Sequence, residues 1–116
     1  MGDFKHLVVV KFKPEVEVAE ILKGIQDLMS RLVDIVKSFE WGEDMESHEM
    51  GRQGFTHVFA VTFRNKEDYN AYVQHPEHMK FSAVFAEAVD QAAVLDFLGM
   101  SVDPTVTAAP ETVPNA

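Results

Sequence analysis

One segment near the start of the chain is apolar on both faces of a predicted strand. In residues 5–12, Val8, Val10 and Phe12 point one way, whereas Leu7 and Val9 point the other way. A strand with one face in water would instead alternate apolar with polar residues. The pattern therefore predicts a strand that must be covered on both sides.

Residues 55–64 repeat this two-sided pattern. Val58 and Ala60 share one face of the predicted strand. The opposite face carries His57, Phe59, Val61 and Phe63. Two such strands indicate a sheet that is apolar on both faces, and that sheet constrains the fold more than any other feature.

The remaining elements predict an α+β fold of the ferredoxin-like type, β-α-β-β-α-β with an antiparallel sheet. Pro76 favours a new helix at its own position because proline suits the first helical turn, and Asn65 is a plausible N-cap for the short helix before it. The predicted elements are a strand at 5–12, a helix at 16–34, strands at 36–42 and 55–64, helices at 66–74 and 76–91, and a strand at 93–98.

Helices can cover only one face of this sheet, and the chain has no further segment for the other face. The simplest cover is a second copy of the same chain, sheet against sheet. A standard interface buries about 800 Å² per partner, and each Å² of apolar area removed from water contributes about 25 cal/mol of favourable free energy. Pairing two copies would therefore stabilise the protein strongly. The sequence therefore predicts a homodimer.

Composition excludes several classes of protein. The formal net charge is −9, which argues against a broad basic surface for nucleic acid or anionic membrane. The chain has no cysteine, so disulfide and thiolate chemistry are absent. The N-terminus lacks the apolar core of a signal peptide, and the expected location is the cytosol. Residues 99–116 contain three prolines without periodicity, and we expect a disordered tail.

Five sequence blocks, in this order, resemble the plant stress-response A/B barrel domain family. They are KHLVVVKFK at 5–13, FEWGED at 39–44, GFTH at 54–57, HPEH at 75–78 and LDF at 95–97. The likeness spans residues 3–98 and implies one domain there, with the ferredoxin-like fold paired into a dimeric α/β barrel. Its members include small heat-stable plant proteins and a polyketide cyclase, so it leaves two classes of function open.

Tyr72 and His78 are the candidate catalytic pair. Spacing alone permits two interpretations: His78 acts as a base near a helix N-terminus, or it bonds a carbonyl while Tyr72 packs its ring. The resemblance implies the first, because these positions match the catalytic pair of the cyclase. The reaction implied is an intramolecular aldol condensation of a poly-β-keto thioester, with His78 taking a proton and Tyr72 holding an oxygen. It requires no cofactor.

Other residues are candidates for binding. His6 and His57 lie on strands among large apolar residues, as core residues or as walls of a pocket. The resemblance places Leu22 and Gln26 at the pocket, and it matches Asp96 to an aspartate that could orient an imidazole. A polar Gln26 disfavours the alkyl chain of the cyclase substrate.

The resemblance also implies a Mg²⁺ ion held by backbone carbonyls near the end of the first helix. The matching positions here are Ser30, Val33 and Val36. Free carbonyls at a helix C-terminus suit a hard cation. Two functions therefore stand: a dimeric stress-associated protein that binds a small hydrophobic or polyketide-like ligand, and a polyketide-cyclase-like enzyme.

Overall fold

The computed structural model describes residues 2–103 of the chain. Its elements are β1 (Phe4–Phe12), α1 (Val18–Arg31), β2 (Ser38–Glu43), β3 (His57–Phe63), α2 (Lys66–Gln74), α3 (Pro76–Ala88) and β4 (Val89–Leu98). The four strands form one antiparallel sheet in the order β2-β3-β1-β4. The ferredoxin-like α+β fold is confirmed. Of the tail predicted to be disordered, residues 104–116 lie outside the described part.

The short helix α2 begins where the sequence predicts. The side chain of Asn65 accepts a hydrogen bond from the backbone N–H of Asp68, so it caps the helix. His75 ends α2 and caps α3, because its Nδ1 accepts a hydrogen bond of 3.1 Å from the N–H of Glu77. With Pro76 in the first turn of α3, this break turns the chain between the two helices.

Several predicted boundaries differ from the structure, three of them by three residues or more. The helix predicted at 16–34 is shorter, because Leu32 donates its N–H to Met29 in a tighter turn that ends α1. The last helix ends at Ala88 rather than residue 91, and β4 begins at Val89 instead of residue 93. Residues 89–92 are strand because they pair with the end of β1, through an irregularity between Lys11 and Phe12.

All three helices cover the same face of the sheet. The core between them includes Phe63 and Val10, which are fully buried. On the opposite face, Val58, Leu95 and Phe97 remain 37%, 60% and 49% exposed. The register of the strands places these three residues beside other apolar residues on the same face. We call this surface the open face, and it consists of Leu7, Val9, Val58, Ala60, Ala93, Leu95 and Phe97.

No helix in the described part of the chain combines the length and the apolar character that crossing a membrane requires.

Candidate functional site

A cavity of about 90 Å³ lies between the sheet and the helices. Most of its wall is apolar and comes from α1, α3 and the three strands β1, β2 and β3. The polar side chains that line it are His6, Tyr72, His78 and Ser82. An apolar cavity with a few convergent polar groups is the usual form of a small-molecule site.

The helices α1 and α3, which cover this cavity, approach each other closely at Gly24. A Cβ atom on that residue would lie 2.9 Å from a ring carbon of Phe81, so only glycine allows this contact without a shift. Phe81 in turn lines the cavity. The glycine in α1 therefore helps to set the position of one cavity wall.

Tyr72 and His78 meet at the cavity, as the resemblance implies. Their ring centroids lie 4.3 Å apart, although six residues and the Pro76 break separate them in sequence. Tyr72 is buried and also packs against Phe63, at 5.0 Å between centroids. The turn between α2 and α3 brings the two side chains together.

His78 presents one ring nitrogen for chemistry. Its Nδ1 lies 3.3 Å from the carbonyl oxygen of Val73. A carbonyl can only accept, so Nδ1 carries the proton and Nε2 keeps its lone pair. The sequence leaves a bond from His78 to a carbonyl as an alternative to catalysis, and the structure contains that bond. The same bond fixes the tautomer that a catalytic base requires.

Burial sets the protonation of both residues. Burial is the main cause that lowers the pKa of His78. The hydrogen bond to Val73 raises this pKa, and the charges of His6 and His75 lower it further. Burial, followed by the neighbouring Tyr69, raises the pKa of Tyr72 far above its ordinary value. At neutral pH the site therefore holds a neutral imidazole and a protonated phenol.

His6 and Asp96 lie together beside the same cavity. They are direct partners in the pairing of β1 with β4, and Nδ1 of His6 is 2.6 Å from Oδ1 of Asp96. His6 lines the cavity and its ring lies 6.4 Å from that of Tyr72. The structure thus joins His6, Asp96, Tyr72 and His78 in one site.

The other predicted binding residues lie elsewhere. Leu22 and Gln26 line an open groove between α1 and β2, which shares Phe39 with the cavity. His57 is buried near the far end of β3, where Thr56 bonds its Nδ1 at 2.9 Å and the ring of Phe12 lies 5.2 Å away. Their roles in binding a ligand stay predictions.

The predicted magnesium ligands lie at the end of α1. Ser30 is in its last turn, and Val33 and Val36 are in the turns that follow. The backbone bonds that close these turns run from the N–H groups of Leu32, Ile35 and Val36 to the carbonyls of Met29 and Leu32. None of these bonds uses the three predicted carbonyls, so the donor set fits a hard cation. Within residues 2–103, no three His, Cys, Asp or Glu side chains form a metal cluster.

Sequence reasoning missed Tyr69. It precedes Tyr72 by one helical turn on α2, and its ring stacks on Phe4 at 4.5 Å and lies 5.4 Å from His6. Burial, followed by the charge of Asp96, raises the pKa of Tyr69. The i, i+3 spacing of the two tyrosines was the signal that could have indicated a shared face.

Curated proteins of known sequence resemble this chain over most of its length. The stress-response A/B barrel domain-containing protein At5g22580 of Arabidopsis thaliana is 56% identical over 107 residues, which cover 92% of this chain and 96% of that protein. Olivetolic acid cyclase of Cannabis sativa is 31% identical over 96 residues, covering 80% and 93%.

Solved structures give the same answer for the fold. At3g17210 from Arabidopsis thaliana superimposes with a TM-score of 0.78 at 36% identity, covering 86% of this chain and 98% of that one. A dimeric ferredoxin-like protein of unknown function from Jannaschia sp. superimposes with a TM-score of 0.72 at 20% identity, covering 83% and 98%. The second likeness concerns the fold alone.

The model of the stress responsive A/B barrel domain matches residues 4–98, which is nearly the whole of the segment where the sequence shows its resemblance. This match, together with the relatives above, shows that the chain belongs to the stress-responsive A/B barrel domain family.

Proposed function

We propose that this protein is a homodimeric, stress-associated member of its family that binds a small, largely apolar carbonyl compound in the cavity. The observation that carries the proposal is the pair Tyr72 and His78, which line one cavity with ring centroids 4.3 Å apart. A protonated phenol donates to a carbonyl oxygen, while the apolar wall takes the rest of the ligand. The cytosolic location stays a prediction.

The size of the cavity supports a small ligand. It holds about 90 Å³. An apolar cavity of about 150 Å³ is known to take benzene, so a compound of a few carbon atoms suits this one. A long polyketide chain would have to extend past Phe39 into the groove of Leu22 and Gln26.

The second candidate is a proton-transfer enzyme related in chemistry to a polyketide cyclase. Nε2 of His78 keeps a lone pair while Nδ1 is held by Val73, and this tautomer favours the candidate. His78 would take a proton from the carbon beside the carbonyl, and Tyr72 would hold the resulting enolate oxygen. In an aldol condensation, that carbon would then attack a second carbonyl of the same chain.

Butan-2-one is a probe small enough for this cavity, and exchange of its α-protons in D₂O is read by proton NMR. We expect the wild-type protein to bind it. Tyr72→Phe should weaken binding by roughly tenfold, since a lost hydrogen bond costs about 1 kcal/mol or more. If the protein transfers protons, His78→Gln should slow α-proton exchange by about 100-fold or more.

His48→Gln is the matched control, because His48 lies on the exposed loop between β2 and β3. It should leave binding and exchange unchanged. Equal binding by the wild type and Tyr72→Phe would contradict ligand binding at this site. Binding without any exchange would support the ligand-binding protein and reject the enzyme.

We also propose that Mg²⁺ binds the carbonyls of Ser30, Val33 and Val36. The ion would fix the turns that follow α1 and would supply no step of the chemistry above. Thermal unfolding measured with and without MgCl₂ tests this, with KCl at matched ionic strength as the control. A melting temperature that rises with Mg²⁺ alone is the expected result, and equal melting temperatures would contradict it.

A further inference from the structure

We propose that the open groove between α1 and β2 is a second binding site, which takes a flat aromatic compound that carries a carboxylate. This inference goes beyond the proposed function. Of the described residues that line the groove, only Phe39 also lines the cavity. The groove holds about 430 Å³, a size typical of small-molecule sites. Its lining residues are Ala19, Leu22, Lys23, Gln26, Phe39 and Trp41.

One wall of the groove is a stripe of α1 that lies beside the stripe facing the core. Residues 19, 22, 23 and 26 share one side of the helix, because steps of three and four residues return to the same side. The buried residues of this helix are instead Ile21, Ile25 and Leu28. The groove stripe therefore presents two polar side chains, Lys23 and Gln26, next to the apolar Leu22.

The other wall of the groove is aromatic. The ring of Trp41 lies nearly parallel to those of His57 and Phe59 on β3, at 6.4 Å between centroids and interplanar angles of 23° and 28°. Trp41 is nevertheless 48% exposed, so part of its ring stays open to the groove that it lines. A flat ring held in this way is a surface on which a second flat ring stacks.

The charge of the groove favours an anion. Of the described residues that line it, Lys23 alone is charged, although the chain has 19 acidic and 10 basic residues. Within residues 2–103, no hydrogen bond or ion pair occupies the side chains of Lys23 and Gln26. A carboxylate accepts hydrogen bonds from both the ammonium and the amide. An alkyl chain over Lys23 would instead remove water from its charge without supplying a partner.

A second copy of the chain packed on the open face would lie on the other side of the sheet from this groove. Phe39 and Trp41 are the register partners of Val61 and Phe59, which are buried under the helices. The side chains of Phe39 and Trp41 therefore point to the helix-covered side. The groove and the proposed dimer are thus compatible.

Benzoate is the probe, and Trp41, the only tryptophan of the chain, reports its binding by fluorescence. We expect benzoate to change the Trp41 emission in a saturable way and to bind about threefold more tightly than benzamide, its neutral analogue. Lys23→Gln should weaken benzoate binding by about threefold, and Lys23→Glu by about tenfold or more, because the second variant adds repulsion. Lys80→Gln is the matched control, since Lys80 is an exposed lysine on α3 that does not line the groove.

Cyclohexanecarboxylate tests the aromatic wall separately, because it keeps the charge but has no flat ring. It should bind about threefold more weakly than benzoate. All titrations are made at one ionic strength, set with NaCl, so that screening is constant. Trp41 emission that benzoate leaves unchanged would overturn the groove as a binding site. Equal affinities for benzoate and benzamide, or for benzoate in the wild type and Lys23→Gln, would overturn the preference for an anion and with it the proposal.

Discussion

Leu95→Glu should convert the protein from a dimer to a monomer. Leu95 lies near the middle of the open face, is 60% exposed in the single chain, and is paired directly with Leu7. If a second copy covers this face, the new carboxylate is buried without a partner. The cost of several kcal/mol corresponds to a loss of more than about 100-fold in dimer affinity.

Light scattering coupled to size-exclusion chromatography measures this change directly. Val84→Glu is the matched control, because Val84 is 56% exposed on α3, away from the open face. The Val84→Glu variant should still show the mass of a dimer. If the wild type elutes as a well-folded monomer, the open face is not an interface between copies, and the proposed homodimer is wrong.

Much of the fold could be predicted because local signals agree with it. The two-sided apolar pattern of β1 and β3 fixes which residues share a face, and Asn65 and Pro76 set the helix starts that the structure shows. The start of β4 could not be predicted from local signals. Residues 89–92 fit a helix or a strand equally well, and their pairing with the end of β1 decides between them.

The candidate site likewise has one pair of residues that the sequence can predict and one pair that it cannot. Tyr72 and His78 are near in sequence, so a single break at Pro76 brings them together. His6 and Asp96 are 90 residues apart. They meet only because β4 pairs with β1 in a register that places them opposite each other. This register cannot be predicted from the residues near either position alone. Tyr69 escaped notice because its ring lies beside His6, at a part of the site that the same pairing assembles.

Phe63→Ala should lower the free energy of unfolding by about 3–5 kcal/mol, a large share of the roughly 5–15 kcal/mol that holds a domain together. Phe63 is fully buried. Removing its ring leaves a cavity that close-packed neighbours fill only in part. Urea unfolding at fixed protein concentration measures the loss, and Met50→Ala, at an 89% exposed position, is the control that should change little.

Phe63 also links stability to the site. Its ring lies 5.0 Å from that of Tyr72 and 5.5 Å from that of Tyr69, so one side chain supports both tyrosines. Phe63→Leu keeps much of the apolar volume, and we expect it to remain folded. It should nevertheless weaken binding of butan-2-one, since the Tyr72 hydroxyl loses its fixed position. Unchanged affinity in a folded Phe63→Leu variant would show that the tyrosines are held by α2 alone.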